Sequence, residues 1–223
     1  MFLKNQKTFH GRRKGRRISS MNLKFLEDFS YKFYLQEDQI CKLPLQEYNK
    51  NILEIGFGNG DNVVNMSLNK PNNLFIASDP YYNGCVKLLK QIINKNIKNV
   101  KIWPDDIHLI INKFKKNFFD LILILQPDPW PKKKHKKRRL IQQKFLDDIN
   151  QIMKYEGELI ISTDHNIMKS WVLEQFHIRN DFLLIKNGYY YTNIKPRWII
   201  NTKYSNKAFQ DNKLVNWFFF KKS

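Results

Sequence analysis

The residues with the clearest chemical potential stand where short β-like runs stop. The first set is Glu54-x-Gly56-x-Gly58-x-Gly60, which closes the apolar run Asn51–Gly56. Glycines at such a place let the backbone take positive φ and approach a ligand closely. A dinucleotide site would read GxGxxG, with a helix N-terminus aimed at pyrophosphate. Here the third glycine comes one residue early and Asp61 follows it. Carboxylates at Glu54 and Asp61 disfavour an anion and suit a ligand with a cationic amine or sulfonium; S-adenosylmethionine has both. Asp79 ends the second run, 25 residues after Glu54, where a carboxylate can accept hydrogen bonds from both ribose hydroxyls. Asp105 and Asp106 follow a third run, Val100–Trp103, where an adenine ring would lie. Read as plain structure, Asp79 is a turn residue before Pro80 and Asp106 a helix N-cap. The ordered series of glycines and acids at successive strand ends favours a small-molecule site, and no metal is expected in it.

Pro127-Asp128-Pro129-Trp130-Pro131 follows a fourth run. Prolines fix φ and remove amide donors, so this tip is stiff and cannot continue a helix or a sheet. It can hold one carboxylate and one indole at the edge where the ligand ends. Directly after it, Lys132–Arg139 carries seven cations in eight residues. A candidate catalytic carboxylate, Asp128, thus precedes a phosphate-binding run by four residues.

The elements that must position these groups are short and regular. Runs at 51–56, 74–79, 119–125 and 158–163 read as strands, separated by helical spacing such as Val86, Leu89, Ile92, Ile93 and Phe145, Ile149, Ile152. Strands alternating with helices imply a mostly parallel, doubly wound sheet covered on both faces, an α/β fold. The almost unbroken apolar run 119–125 suits a central strand, and Trp217–Phe220 reads as a closing strand. Residues 1–20 hold seven cations and no acid and read as a basic flexible arm; residues 21–223 form the one expected domain. Between residues 21 and 50 aromatic and charged side chains mix without a clear period.

Composition narrows the class. The 223-residue chain is 42% hydrophobic, enough for a real core, and carries a formal charge of +19. With 31 Lys, 25 Asn and 25 Ile, part of that charge reflects drift toward AT-rich codons. The arginines discriminate better. Six of the eight fall in two short runs, Arg12, Arg13, Arg16, Arg17 and then Arg138, Arg139. A guanidinium fork binds phosphate bidentately and stacks on bases, which an ammonium does not do. The expected partner is therefore a nucleic acid, with Lys133, Lys134, Lys136 and Lys137 joining those arginines on its backbone. Two cysteines outside any CxxC pair argue against a disulfide-stapled secreted domain. No apolar run is long enough to span a bilayer, and the N-terminus lacks a signal-peptide pattern. The expectation is a cytoplasmic protein, with no membrane association and no obligate protein partner.

Taken together, EIGFGNG at 54–60, PDPWPKKKHKKRR at 127–139, STD at 162–164, TKY at 202–204 and GRRKGR at 11–16 resemble the bacterial tRNA (guanine-N7-)-methyltransferase family. The resemblance runs over nearly the whole chain. It implies a Rossmann-like, S-adenosylmethionine-dependent methyltransferase sheet with an antiparallel closing strand, and methylation of guanine N7 in the tRNA variable loop. By position, Glu54, Gly56, Asp79 and Asp106 match cofactor-binding residues, and Asp128 matches the acid assigned to both cofactor and catalysis. Asp79 falls where many members have Glu. Lys132, Asp164, Thr202, Lys203 and Ser205 fall on substrate-contacting positions, with Ser205 at the end of an element whose usual final Glu is missing. The runner-up activities are an amino-methyltransferase on adenine or glutamine and a non-catalytic basic RNA-binding protein on the same fold.

Overall fold

A computed structural model describes residues 11, 19–44, 47–184, 195–201, 210–211 and 213–223. In chain order the elements are α1 (Ser20–Phe33), α2 (Glu37–Ile40), β1 (Asn51–Ile55), α3 (Asp61–Asn69), β2 (Leu74–Ser78), α4 (Tyr82–Asn94), β3 (Val100–Trp103), β4 (Phe119–Leu125), α5 (Gln143–Ile152), β5 (Met153–Thr163), α6 (Asn166–His177), β6 (Phe182–Leu184) and β7 (Asn216–Lys222). Short three-ten turns occupy Ile107–Leu109, Ile111–Lys113 and Lys133–Arg138.

The seven strands make one sheet in the order β3-β2-β1-β4-β5-β7-β6. The first five pair in parallel, and β7 runs antiparallel to both β5 and β6. The expected closing strand is therefore β7, placed one position in from the edge because β6 adds a short strand outside it. The chain winds outward from β1 through β2 to β3, then returns to place β4 on the other side of β1. That reversal opens a crevice at the carboxyl ends of β1 and β4, where open α/β sheets take their ligands.

Side chains alternate across the sheet, and each face has its own core. Leu53, Ile55, Leu74, Ile76, Ile122 and Ile124 pack on one side beneath α5 and α6. Ile52, Phe75, Ala77 and Leu123 pack on the other with α3 and α4. Burial on both faces explains why these strands read as unbroken apolar runs. Residues 20–33 form α1, capped by the Ser19 side chain accepting from the Asn22 amide at 3.3 Å. Leu26 of that helix is buried in the core shared with α4.

The carboxyl ends of the strands are tied to each other. Gly56 donates to Ser78 O at 2.8 Å, Asp79 to Trp103 O at 3.1 Å and Gln126 to Ser162 O at 3.0 Å, all through backbone amides. The Ser78 hydroxyl donates to Asp105 O at 3.1 Å and the Trp103 indole to Asp106 O at 2.9 Å. Asp79, Asp105, Asp106 and Asp128 therefore stand beyond the carboxyl ends of the strands, with Glu54 inside β1 and Asp61 opening α3.

Candidate active site

The turn after β1 puts Gly56, Gly58 and Gly60 in the left-handed region, with φ of 79°, 61° and 81°. A side chain at any of them would be strained, which is the physical reason for the alternating glycines. A Cβ at Gly56 would meet nothing within 4 Å, so the space in front of the turn is open. Asp79 fixes the turn from β2: one carboxylate oxygen accepts from the Gly58 amide at 2.7 Å, the other from the Tyr81 amide at 2.8 Å. Behind the turn lies Gly84 of α4. A Cβ there would stand 1.9 Å from the Gly58 carbonyl oxygen. Sequence reasoning missed Gly84; its one signal is an isolated glycine in a helical pattern, which has a packing reason here.

Gly56, Asp79, Asp106 and Asp128 line one cavity of about 750 Å³ at this edge. That size suits a nucleoside-type ligand. Asp79 is 8% exposed. Burial pushes its carboxyl up to about 6 against the two amide bonds, and the nearby Asp128 charge adds to the rise. Glu54 does not line the cavity. It lies under the glycine turn, 3% exposed, accepting from the Asn62 side-chain amide at 2.8 Å. Burial pushes Glu54 up to about 7, opposed by the Asn62 bond and helped by Asp79. Buried acids held at that cost favour a cation close by.

Asp106 is the N-cap of the Ile107–Leu109 turn, accepting from the His108 amide at 3.1 Å, and it also meets His108 Nδ1 at 2.7 Å. The capping role and a place in the cavity wall thus coexist in one residue. Cys85 sits close behind, its thiol bonded to Asp79 O at 3.4 Å. Burial first, then the Asp79 charge, push that thiol well up, so it is not a nucleophile.

The Pro127–Pro131 turn carries Asp128 into the cavity rim. Gln126 and Trp130, on either side, have φ of 55° and 39°, left-handed values unusual for such residues. The Asp128 side chain opens to the cleft, and the protein bulk behind it raises its carboxyl above the usual range. The Gln126 side-chain oxygen accepts from the Asp164 amide at 3.0 Å, fastening the bend just past β5 to the end of β4. Beyond Pro131, Lys132, Lys133, Lys134, Lys136, Lys137 and Arg138 are exposed along one short turn. Lys137, Arg138 and Arg139 all reach the cavity wall, and the Arg138 guanidinium lies 5.1 Å over the Trp130 ring.

Arg139 does not join that exposed row. It is 7% exposed, donates to Pro129 O at 3.0 Å and to Trp130 O at 3.3 Å, and lies 4.9 Å over the Trp171 ring. A backbone phosphate would have to compete for a guanidinium already engaged by two carbonyls and an indole. The expected substrate residues divide similarly: Lys132 is exposed and Asp164 half-buried, and neither lines the cavity. Arg12, Arg13, Arg16, Arg17, Thr202, Lys203 and Ser205 lie outside the described residues. Their neighbours do reach the site. Gly11 lines the cavity, and the Ile200 amide donates to the Asn62 side-chain oxygen at 3.4 Å.

Residues 48–217 match a protein-family profile described as "Putative methyltransferase". The chain belongs to that methyltransferase family. Among curated proteins it is 39% identical over 166 residues to a tRNA (guanine-N(7)-)-methyltransferase of Wolbachia pipientis wMel, covering 74% of this chain and 72% of the relative. It is 32% identical over 206 residues to a "Bifunctional methyltransferase" of Rickettsia typhi (strain ATCC VR-144 / Wilmington), covering 92% of this chain and 38% of that longer protein. Of solved structures, the 16S rRNA methyltransferase KamB superposes with a TM-score of 0.58 at 10% identity, covering 80% of this chain and 90% of its own. A Streptococcus mutans protein in complex with SAH gives 0.54 at 17% identity, covering 84% and 95%. The enzyme thus shares the methyltransferase fold that its family resemblance implies.

Proposed function

We propose that this enzyme transfers a methyl group from S-adenosylmethionine to N7 of a guanine in the tRNA variable loop. The observation that carries the reading is a juxtaposition. An acid-lined cavity of nucleoside size opens beside Asp128 directly onto the exposed cations Lys132–Arg138. A polyanion lying along that row would have its bases within reach of the cavity mouth.

The residues present fit the cofactor. Gly56 leaves room in front of the turn, Asp79 retains acceptor capacity for ribose hydroxyls, and buried Glu54 complements a cation above it. When bound, S-adenosylmethionine supplies an electrophilic methyl on a sulfonium. The protein's tasks are alignment and exclusion of water. Guanine N7 carries a free lone pair and no proton, so no general base is required. Asp128 holds the guanine edge by accepting from a ring N–H or exocyclic amine and offsets the positive charge developing on the purine. Lys132 contacts a nearby phosphate or base edge, and Asp164, fastened through Gln126, stands on the neighbouring strand end. The arm residues Arg12, Arg13, Arg16 and Arg17 grip the RNA backbone, as do the exposed cations after Pro131.

The name of the Wolbachia relative supports this substrate. A non-catalytic RNA-binding role is disfavoured because binding alone has no use for acids buried at the cofactor edge. An amino-methyltransferase on adenine or glutamine, which often carries an acid-or-Asn-Pro-Pro-aromatic turn after the same strand, is disfavoured because Asp128-Pro129-Trp130 lacks the second consecutive proline. The test is incubation of unmodified tRNA transcripts with labelled S-adenosylmethionine, followed by mapping of the labelled base. Label at guanine N7 in the variable loop is expected; label on another base, or none with folded protein, overturns the reading.

A further inference from the structure

We infer that the two adjacent arginines at the end of the basic run have opposite jobs: Arg138 faces the RNA, whereas Arg139 is a positioning residue that holds the turn bearing Asp128. The inference rests on the tRNA methyl-transfer reading above for Arg138's job and for its binding and kinetic arms, whereas the clamp by Arg139 does not.

The turn cannot hold itself. Pro127, Pro129 and Pro131 have no N–H to donate across it, and Trp130 sits at φ 39°. Such a conformation is strained and persists only where the surroundings fix it. Arg139 supplies two of those restraints, through Nε to Pro129 O and Nη2 to Trp130 O. These carbonyls are the next ones after Asp128, so the fork grips the backbone that aims that carboxylate. The guanidinium is held in turn by the indole of Trp171 on α6, 4.9 Å away. That ring is fixed by donating its Nε1–H to Ile141 O at 2.6 Å. The Arg139 carbonyl accepts from the Gln142 side chain at 3.1 Å. A chain of contacts therefore runs from α6 through Trp171 and Arg139 to Asp128. Arg138 stands apart: exposed, and stacked over the outer indole Trp130 at 5.1 Å.

Chemistry makes the two roles separable. A phosphate contact needs charge, so lysine at 139 would keep most of it. Two carbonyls and an indole face need the planar fork, which lysine lacks.

The test uses Arg139→Lys, Arg139→Met and Arg138→Gln in the full chain. The salt dependence of tRNA binding, single-turnover rates at saturating tRNA and cofactor, and amide hydrogen exchange of residues 135–139, whose bonded amides close the turn that Arg139 ties to Pro129 and Trp130, are measured for each. Arg138→Gln should flatten the salt slope by roughly 0.7–0.9. Both Arg139 variants should leave the slope unchanged, lower the rate about tenfold to a hundredfold and speed exchange in the turn. A reduced slope in Arg139→Met together with a wild-type rate in Arg139→Lys would make Arg139 an RNA contact and overturn the inference. Unchanged exchange in both variants would overturn it too. Because exchange is read without substrate, a wild-type protein that fails to methylate tRNA would refute the functional reading and still leave the clamp decided by the exchange result.

Discussion

Alanine at position 84 would put a Cβ 1.9 Å from the Gly58 carbonyl oxygen and 3.0 Å from the Gly58 carbonyl carbon. An ordinary C···O contact is about 3.3 Å or longer, so α4 and the glycine turn must separate by about 1.4 Å. Neither partner is a flexible side-chain end. The Gly58 amide is bonded to Asp79, and Asp79 is bonded to Tyr81 at the start of α4. Separation therefore strains the bonds that shape the cofactor edge. In an exposed helix, Gly→Ala would stabilise by roughly 0.5–1 kcal/mol. Here we expect the opposite sign, a loss of about 1–3 kcal/mol, the range for forcing atoms into a filled space. For a chain of this size that lowers Tm by about 2–4 °C per kcal/mol. Cofactor affinity should fall at least about tenfold, equivalent to roughly 1.4 kcal/mol. Thermal melts with and without S-adenosylmethionine, paired with calorimetric titration, measure both. Gly84→Ala protein that melts at or above the wild-type temperature and binds cofactor normally would refute the packing argument and the role given to the turn.

Four further outcomes are expected. Asp79→Ala should weaken cofactor binding by about 1–3 kcal/mol, the range for losing a buried charged hydrogen-bond partner, as read by calorimetry. Asp128→Asn should slow single turnover about a hundredfold, by analogy with loss of one transition-state hydrogen-bond donor, while tRNA binding measured by filter retention stays near wild type. Glu54 and Asp79 are raised to about 7 and about 6, so the folded form keeps protons that the unfolded chain has already lost; unliganded stability should therefore fall as pH rises from about 4 to 7. Melting wild type and Glu54→Gln across that window checks it, because the amide variant should show a shallower decline. Neutralising Arg12, Arg13, Arg16 and Arg17 should weaken tRNA binding and reduce the salt slope by roughly 0.7–0.9 per lost phosphate contact, with cofactor affinity unchanged.

The strands that read best from sequence are those buried on both faces. Runs at 51–56, 74–79, 100–103 and 119–125 match β1 to β4 to within a residue at each end, because a central parallel strand leaves no polar alternation to confuse its limits. β5 starts at Met153 rather than near Glu158. Its first part passes through a register shift opposite Phe119 and Leu121, and Glu156 takes φ 61°, so no period of two was there to find. Three-residue β6 was too short to signal itself, and α1 hid its apolar stripe among aromatic and charged neighbours. In the site, residue types at strand ends announced Asp79, Asp106 and Asp128. Direction was not legible. A string of like charges does not say that Arg139 turns inward while Arg138 turns out, and a lone glycine in a helix does not name the carbonyl that needs its space.

Asn62 has a consequence of its own. Its side-chain amide donates to Glu54 beneath the glycine turn and accepts from Ile200, two residues ahead of Thr202. A single buried group thus belongs to the cofactor bed and to the segment leading into the element compared with substrate-binding motifs. A change in the Glu54 contact would reach the Ile200 amide through one planar side chain. Thermodynamic linkage then requires reciprocity: if cofactor binding alters the hold on the segment at Ile200, any ligand that binds through that segment must alter cofactor affinity by an equal factor.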